Sequence, residues 1–298
     1  MIRFFLIFAA AFFVSLPVLS QQPASVLPRP SDLPAPQTAT VFGQHIVYYE
    51  AGEGPTIVLV HGFGSQALFD WGRVIKPLAR NHRVVALDQI GFGHSDKPFI
   101  NYRIQTFVDF LGEFLRIEDI RHFSLAGESL GGWIVANYAI QAMSPSNKGP
   151  FALPVPDRLI LEDAAGHAVP PRGAVVAPAS LQDSAGVAIV FHDKSLVNED
   201  FVRRNWELKM EANDGETQRL FVDNPSLASE LVTGKLGAIG IPTLVVWGGD
   251  DQLLPVADGR DYAAKIPHAK LVIVANCGHA PSLEKPDDFI AALEEFLR

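Results

Sequence analysis

Ser129 is the residue whose surroundings best suit a catalytic nucleophile. It stands in the pentapeptide Gly127–Gly131 (Gly-Glu-Ser-Leu-Gly), directly after the apolar run Phe123–Ala126. A buried strand that ends in Gly-x-Ser-x-Gly before a second apolar run predicts a tight strand-to-helix turn, the nucleophile elbow. Such a turn requires small residues on both sides of the serine and directs the first helical N–H groups towards its hydroxyl. The pattern therefore predicts nucleophilic catalysis at Ser129.

A serine hydroxyl is a weak nucleophile, so this chemistry requires a base that takes its proton during attack. We predict that His279 is this base, because it follows Gly278 just beyond the last predicted strand, where a loop can turn the ring towards Ser129. Of the other histidines, only His167 is kept as a candidate pocket residue. Cys277, the single cysteine, is an alternative nucleophile, but its position better fits a small buried apolar residue.

The base requires an acid that orients the imidazole and stabilises its charged form. Asp251 follows Trp247-Gly248-Gly249 at the end of a predicted strand, and we predict that it is this acid. Asp163, one strand earlier, is the rival, and Asp250 is expected to be a turn residue. Serine, acid and histidine then follow in the chain order of a hydrolase triad on a parallel sheet.

Ester chemistry at Ser129 would also require two N–H donors for the developing oxyanion. Leu130, the residue after the serine, is expected to supply one N–H, and Phe63, after His61-Gly62, the other. Glu128 has two interpretations. Its side chain is expected to be solvated or hydrogen-bonded in the turn, and the alternative is that it tunes His279.

The elements that must position these residues alternate along the chain. Short apolar runs predict strands at 38–42, 44–50, 56–60, 83–87, 122–126, 158–161, 242–247 and 270–274. Helical patterns cover 104–115, 129–143, 256–266 and 287–297. This alternation predicts an α/β fold, with a mostly parallel central sheet covered by helices on both faces. Ligands and catalytic groups gather at the carboxyl ends of such strands, which is where the candidate residues stand.

One stretch, residues 167–240, interrupts the alternation and is predicted to be a helical lid. Asn198 suits a helix N-cap, followed by acidic residues in the first turn. Val202, Trp206 and Met210 then recur at helical spacing, and we expect this stripe to pack onto the main domain. The hydrolase core is accordingly predicted at 39–166 and 241–298.

Composition narrows the function classes. The chain has 298 residues, 48% of them hydrophobic, and a formal net charge of −9. This acidic balance argues against nucleic-acid binding, which requires clustered positive charge. A small-molecule substrate is the expected partner.

The N-terminus predicts export. Arg3 precedes the apolar stretch Phe4–Leu16, and Val18 and Ser20 occupy the positions that a signal peptidase reads. Residues 1–20 are therefore predicted to be a signal peptide, which implies a secreted or periplasmic protein. The alternative is an uncleaved anchor, in which case the protein would contact a membrane. The proline-rich residues 21–38 are predicted to be a tether outside the fold.

Together these motifs resemble the α/β-hydrolase family. The resemblance rests on His61–Gly64, Gly91–Pro98, the Ser129 elbow, Trp247-Gly248 with Asp251, and Gly278-His279. It covers about residues 40–298 and implies Ser129 as nucleophile, Asp251 as acid, His279 as base, and Phe63 and Leu130 as oxyanion donors. It implies no cofactor and no metal.

The resemblance leaves three functions open. The expected one is a serine hydrolase of carboxylic esters that works through an acyl-enzyme. The lid stretch Ser195–Asp200 resembles the branch of meta-cleavage product hydrolases, which split carbon–carbon bonds; that branch usually has an aromatic residue where this chain has Ala280. A binding protein on a hydrolase scaffold is the non-catalytic alternative.

Overall fold

The computed structural model describes residues 27–29, 31, 33–170 and 178–298. Eight strands form one sheet in this part of the chain: β1 (Pro36–Val41), β2 (Gln44–Ala51), β3 (Thr56–Val60), β4 (Arg83–Leu87), β5 (Phe123–Glu128), β6 (Arg158–Glu162), β7 (Thr243–Gly248) and β8 (Lys270–Val274). Their order in the sheet is β1-β2-β4-β3-β5-β6-β7-β8. Only β2 runs antiparallel to its neighbours, β1 and β4, and every other pairing is parallel.

Helices cover both faces of the sheet: α1 (Ala67–Leu78), α2 (Ile104–Ile117), α3 (Leu130–Ala142), α4 (Glu199–Ala212), α5 (Gly215–Val222), α6 (Val256–Lys265), α7 (Pro281–Glu284) and α8 (Pro286–Leu297). Residues of α1 and α8, such as Trp71 and Phe289, share one apolar core with the sheet. Residues of α2, α3 and α6, such as Phe107 and Trp133, share the core on the opposite face. The predicted α/β architecture is confirmed.

The central strands are short apolar runs because each is covered on both sides. Every residue of β5 and β7 is buried, as expected for strands with helices above and below. The predicted limits of β3, β4 and β8 agree with the structure to the residue.

Helix α1 is the main element that the sequence pattern does not predict. It contains Gly72 and Pro77, two residues that disfavour helix interiors. Both are tolerated for local reasons. A Cβ at Gly72 would lie 2.2 Å from the Pro28 side chain, so only glycine fits that contact. Pro77 lies in the last turn, where it interrupts a single hydrogen bond of the helix.

The insertion between β6 and β7 holds α4 and α5. The Asn198 side chain accepts a hydrogen bond from the Phe201 N–H, so the predicted N-cap is confirmed. The predicted packing stripe is wrong in register: the residues of α4 that the structure buries are Phe201, Asn205 and Ala212. Met210 is 45% exposed, because the neighbouring face of the helix packs Phe201 against Phe69 and Phe191.

The predicted tether is shorter than 21–38. Strand β1 begins at Pro36, and Leu27 is buried against Phe69 and Phe201. Leu27 packs there because its apolar side chain meets an apolar cluster beneath the insertion. The predicted signal peptide, residues 1–20, lies outside the described residues. None of the helices described has the length and hydropathy that a bilayer span requires.

Candidate active site

Ser129 lies between β5 and α3 with φ 50° and ψ −113°, a backbone conformation that a non-glycine residue rarely adopts. The turn is held by backbone bonds on both sides. The Ser129 N–H donates to the Glu162 carbonyl at 2.9 Å, and its carbonyl accepts the Ala165 N–H at 2.9 Å. Glu162 is the last residue of the neighbouring strand β6, and Ala165 lies three residues beyond it. The sheet itself therefore maintains the strained turn.

The glycines around the serine are required by close backbone approaches. A Cβ at Gly127 would lie 2.4 Å from the Gly131 carbonyl carbon, and one at Gly131 would lie 2.1 Å from the Val60 oxygen. A Cβ at Gly132 would lie 2.4 Å from the Ala164 Cβ. The requirement for small residues around the serine, predicted from the pentapeptide, is confirmed.

His279 and Asp251 are brought together from loops 28 residues apart in the sequence. His279 Nδ1 lies 2.8 Å from Asp251 Oδ2, and the imidazole is 5% exposed. Asp251 Oδ1 accepts the N–H groups of Leu253 at 2.7 Å and Leu254 at 3.0 Å. Burial raises the pKa of Asp251, but the hydrogen bond and charge of His279, with these two N–H groups, outweigh it and hold the pKa below its usual value. Asp251 is therefore placed as a charged acceptor for Nδ1–H.

The second ring nitrogen of His279 faces the elbow. Nε2 lies 3.3 Å from Glu128 Oε1, and the two residues are not separated by solvent, since both side chains are only 6% exposed. Ser129 Oγ itself is not hydrogen-bonded to the ring in this structure. Catalytic hydrogen bonds in enzymes are often loose before substrate binds and tighten in the reacting complex. The arrangement places Nε2 against Glu128, the residue that precedes Ser129 in the turn.

The Glu128 side chain is buried, so the expectation that it is solvated is wrong. It is 4% exposed, and it lies against the oxyanion loop so closely that a Cβ at Gly62 would be 2.1 Å from its Oε2. Burial, followed by the nearby carboxyls of Asp70, Glu162 and Asp163, raises the pKa of Glu128 well above its usual value. The raised pKa favours the neutral form of Glu128, in a position 3.3 Å from His279 Nε2.

Asp163, the rival acid, also lies in the site. It is fully buried, and its Oδ1 accepts the Gly248 N–H at 2.9 Å. A carboxylate oxygen of Asp163, one of Asp251 and a ring nitrogen of His279 all lie within 4.8 Å of one another. Burial first, then the negative charge of Asp251, raises the pKa of Asp163 well above its usual range. Asp251, not Asp163, contacts Nδ1, and the buried Asp163 Oδ2 has no hydrogen-bond partner among the described residues.

The loop His61–Gly64 carries the second predicted oxyanion donor. The Asp70 carboxylate accepts the Gly62 N–H at 2.7 Å and the Ser65 hydroxyl at 2.6 Å. His61 Nε2 accepts the Gln89 N–H at 3.0 Å. The amides of Phe63 and Leu130 donate to no acceptor in the part of the chain described here, so both remain free for an oxyanion.

Asp70 belongs to the site, but no motif or spacing in the sequence predicts its role. Its role depends on the first turn of α1, the helix that the sequence pattern does not predict. The carboxylate orients Gly62 and Ser65 from beneath the loop, and it thereby shapes the turn in which the Phe63 amide stands.

Two other candidates lie away from this chemistry. His167 Nε2 is 2.8 Å from Asp261 Oδ2 and its ring stacks edge-on against Tyr262, on helix α6. Cys277 is buried, and burial raises the pKa of its thiol far above the usual value. A thiol in this state is a poor nucleophile, which supports its interpretation as a small packed residue.

The cluster Asp163, Asp251 and His279 is also the group of described residues whose donor atoms are close enough for a metal ion. Its atoms already have protein partners, since His279 Nδ1 meets Asp251 and Asp163 Oδ1 accepts the Gly248 N–H. Two buried carboxyls beside one imidazole, already bonded to protein groups, suit proton transfer better than the binding of a metal ion from solution.

The buried Glu162 makes a testable contribution to stability. It ends β6, is fully buried, and its Oε1 accepts the Ser282 N–H at 2.6 Å. Burial raises its pKa from 4.5 to about 8, partly offset by the Ser282 bonds. Because the folded state holds this proton more tightly than the unfolded chain, stability is greatest below pH 4.5 for this group and is lost as pH rises towards 8.

We therefore expect Glu162→Gln to flatten the pH dependence of stability. Between pH 5 and 8 the free energy of unfolding of the unmodified chain should fall by up to about 1.4 kcal/mol per pH unit from this group, and the variant should lose that slope. Urea unfolding at several pH values measures both slopes. Equal slopes in the two proteins would show that Glu162 does not titrate in this range.

Comparison with known proteins agrees with this geometry. Residues 57–292 match the family described as the alpha/beta hydrolase family. The chain is 30% identical over 274 residues to 2-hydroxy-6-oxo-6-phenylhexa-2,4-dienoate hydrolase of Comamonas testosteroni, which covers 85% of this chain and 91% of that protein. A crystal structure of a meta-cleavage product hydrolase superposes with a TM-score of 0.76 at 24% identity, covering 90% of this chain and 98% of that one. A membrane phospholipase A, described as a bacterial virulence factor, superposes with a TM-score of 0.69 at 26% identity, covering 90% and 88%.

Proposed function

Because the chain belongs to the α/β-hydrolase family, we propose that it is a serine hydrolase that cleaves a carboxylic ester through an acyl-enzyme formed on Ser129. The observation that carries this proposal is the 2.8 Å contact between His279 Nδ1 and Asp251 Oδ2, placed beside a serine with φ 50°. A non-catalytic protein on this scaffold would have no need to maintain either the strained turn or the buried hydrogen-bonded pair of His279 and Asp251.

The reaction follows from these positions. Ser129 Oγ attacks the ester carbonyl carbon while His279 Nε2 takes the hydroxyl proton, and Asp251 stabilises the imidazolium that forms. The Leu130 and Phe63 amides donate to the oxyanion. Nε2–H then protonates the leaving alcohol as the C–O bond breaks, which leaves the acyl group on Ser129. Water attacks the acyl-enzyme with His279 again as base, and it releases the acid and restores Ser129.

A second candidate is hydrolysis of a carbon–carbon bond next to a carbonyl. It is favoured by the 30% identical relative, whose printed name is that of a dienoate hydrolase. Attack at a ketone carbonyl uses the same serine, base and oxyanion donors, and the leaving group is then a carbon that must be protonated. Ala280 follows His279, and it offers no aromatic surface against which an extended dienoate could stack.

The test separates these candidates. Purified protein is treated with a fluorophosphonate probe and, in parallel, with p-nitrophenyl esters of increasing acyl length. We expect labelling at Ser129, located by peptide mass spectrometry, and ester hydrolysis with a preferred chain length. A ring-fission diketone, followed by the loss of its absorbance, tests the second candidate. Absence of both labelling and ester turnover would make the esterase proposal wrong, and turnover of the diketone alone would select the carbon–carbon reaction.

A further inference from the structure

A buried carboxylate joins the loop of His279 to the insertion. Glu284, the last residue of α7, is 6% exposed. Its Oε2 accepts the Gly278 N–H at 2.7 Å and the His192 N–H at 3.0 Å, and its Oε1 accepts the Asp193 N–H at 2.7 Å. Gly278 immediately precedes the base, whereas His192 and Asp193 belong to the insertion between β6 and β7. One side chain thus holds two segments that are distant in sequence.

The same insertion segment also touches the backbone of the base directly. The His279 N–H donates to the Val190 carbonyl at 2.6 Å. A Cβ at Gly278 would lie 2.2 Å from that carbonyl oxygen, so glycine is required for the approach. Residues 190–193 therefore contact Gly278 and the peptide group that joins it to His279.

The acid loop is contacted from the same segment. His192 Nδ1 lies 3.0 Å from Asp250 Oδ2, and Asp250 is the residue before the acid. The Asp250 N–H in turn donates to the Cys277 carbonyl at 2.9 Å, which links the acid loop to the base loop. The insertion segment meets both loops that supply His279 and its partner.

The segment has its own anchor in the insertion. Phe191 is fully buried and its ring meets that of Phe201 on α4 edge-to-face, with centroids 5.4 Å apart. Leu283, next to Glu284, belongs to the same apolar cluster. Residues 190–193 thus carry an apolar contact towards the insertion and N–H groups towards Glu284.

We propose that Glu284 is a positioning residue, which couples the docking of residues 190–193 to the placement of the His279 ring; this rests on the proposed function in taking His279 as the base. The physical reason is that the buried Gly278 N–H and the partly buried N–H groups of His192 and Asp193 depend on one carboxylate. Without it all three lose this acceptor, and the buried Gly278 N–H is poorly placed to bond water instead. The segment then withdraws, and the Gly278 peptide that orients His279 moves with it. Displacements of about 1 Å in a catalytic group can lower the rate about 100-fold.

Glu284→Gln tests this coupling against a matched control. Glu230 is 7% exposed and likewise accepts two backbone N–H groups, those of Ile104 at 3.0 Å and Gln105 at 3.1 Å. Its carboxylate contacts the start of α2 and accepts a hydrogen bond from Arg103, away from the loops that carry Asp251 and His279. Glu230→Gln thus removes a comparable buried carboxylate elsewhere in the fold.

We expect Glu284→Gln to lower kcat for a p-nitrophenyl ester, and the rate of fluorophosphonate labelling of Ser129, by about 10- to 100-fold. Glu230→Gln should leave both rates within about twofold of the unmodified protein, even where its melting temperature falls as far. Equal rates in the two variants would overturn the proposal, because Glu284 would then serve stability only.

Hydrogen–deuterium exchange keeps the inference testable apart from catalysis. In Glu284→Gln, amide exchange should rise together in peptides spanning residues 187–197 and 275–283, and in Glu230→Gln in neither. Phe191→Ala, made from the opposite side of the contact, should raise exchange in the same two peptides. If only one peptide responds, the coupling is absent, whatever reaction the enzyme catalyses. If both respond but the unmodified protein cleaves no ester, the coupling stands and the esterase proposal fails.

Discussion

Replacing Ser129 with alanine lowers kcat for ester hydrolysis by about 10⁵- to 10⁶-fold, the effect of removing the nucleophile from a serine hydrolase triad. The variant should still fold, because alanine keeps the Cβ and places no new atom in the turn between the glycines. A residual rate above that in water remains, since the free Phe63 and Leu130 amides still stabilise the oxyanion. Fluorophosphonate labelling should disappear completely.

Ser124→Ala is the control for this experiment. Ser124 lies on β5, the same strand as the elbow, and is 6% exposed. Loss of its hydroxyl should leave kcat within about threefold and change stability by about 1 kcal/mol. An Ser129→Ala protein that keeps its esterase rate would show that another group attacks the substrate.

Replacing Asp251 with asparagine lowers kcat by about 10⁴-fold, whereas Asp163→Asn leaves it within about tenfold. The structure explains the first effect. The Leu253 and Leu254 N–H groups hold one oxygen of residue 251, so an asparagine must turn its NH2 towards His279 Nδ1. The ring then carries its proton on Nε2 and cannot accept the proton of Ser129.

The second effect follows from the raised pKa of Asp163, which favours its neutral form. An asparagine is neutral as well, and its Oδ1 can still accept the Gly248 N–H. Kinetics of the two variants and their double variant, with melting temperatures alongside, measure the comparison. If Asp163→Asn is the more damaging change, Asp163 and not Asp251 is the acid.

Much of this molecule follows from local pattern. The strands from β3 to β8 are short apolar runs, and their limits agree with prediction within about two residues. In the central strands β5 and β7, where every residue is buried, burial on both faces leaves little freedom in composition. The Asn198 cap is likewise local, since its side-chain oxygen bonds an N–H three residues ahead. The glycines around Ser129 belong to the same class, because the backbone clash that they avoid arises within the turn and its neighbouring strands.

The carboxyl-rich surroundings of His279 have no such local signal. Glu128, Asp163 and Glu284 each stand beside ordinary turn or helix residues in the sequence, where a solvated carboxylate is the expected state. Packing decides otherwise. Burial raises the pKa of Glu128 and of Asp163, while Glu284 accepts three backbone N–H groups. Their protonation and partners depend on which strand ends and loops meet, and that is a property of the whole sheet.

The same difference between local sequence signals and tertiary packing explains two wrong or missing predictions, the packing face of α4 and helix α1. The stripe Val202, Trp206 and Met210 has correct helical spacing, but spacing alone does not say which of two adjacent helix faces packs against the rest of the protein. The face that carries Phe201 does so, because Phe201 contacts Phe69 and Phe191. Helix α1 tolerates Gly72 because of its contact with Pro28, and it tolerates Pro77 because that residue lies in the last turn. Residue types and their order along the chain determined the α/β fold and the candidate nucleophile, acid and base, because strand periodicity and turn sterics act over a few residues. Only the folded sheet decided charge state, register and coupling between loops, because electrostatic and packing energies depend on distance in space.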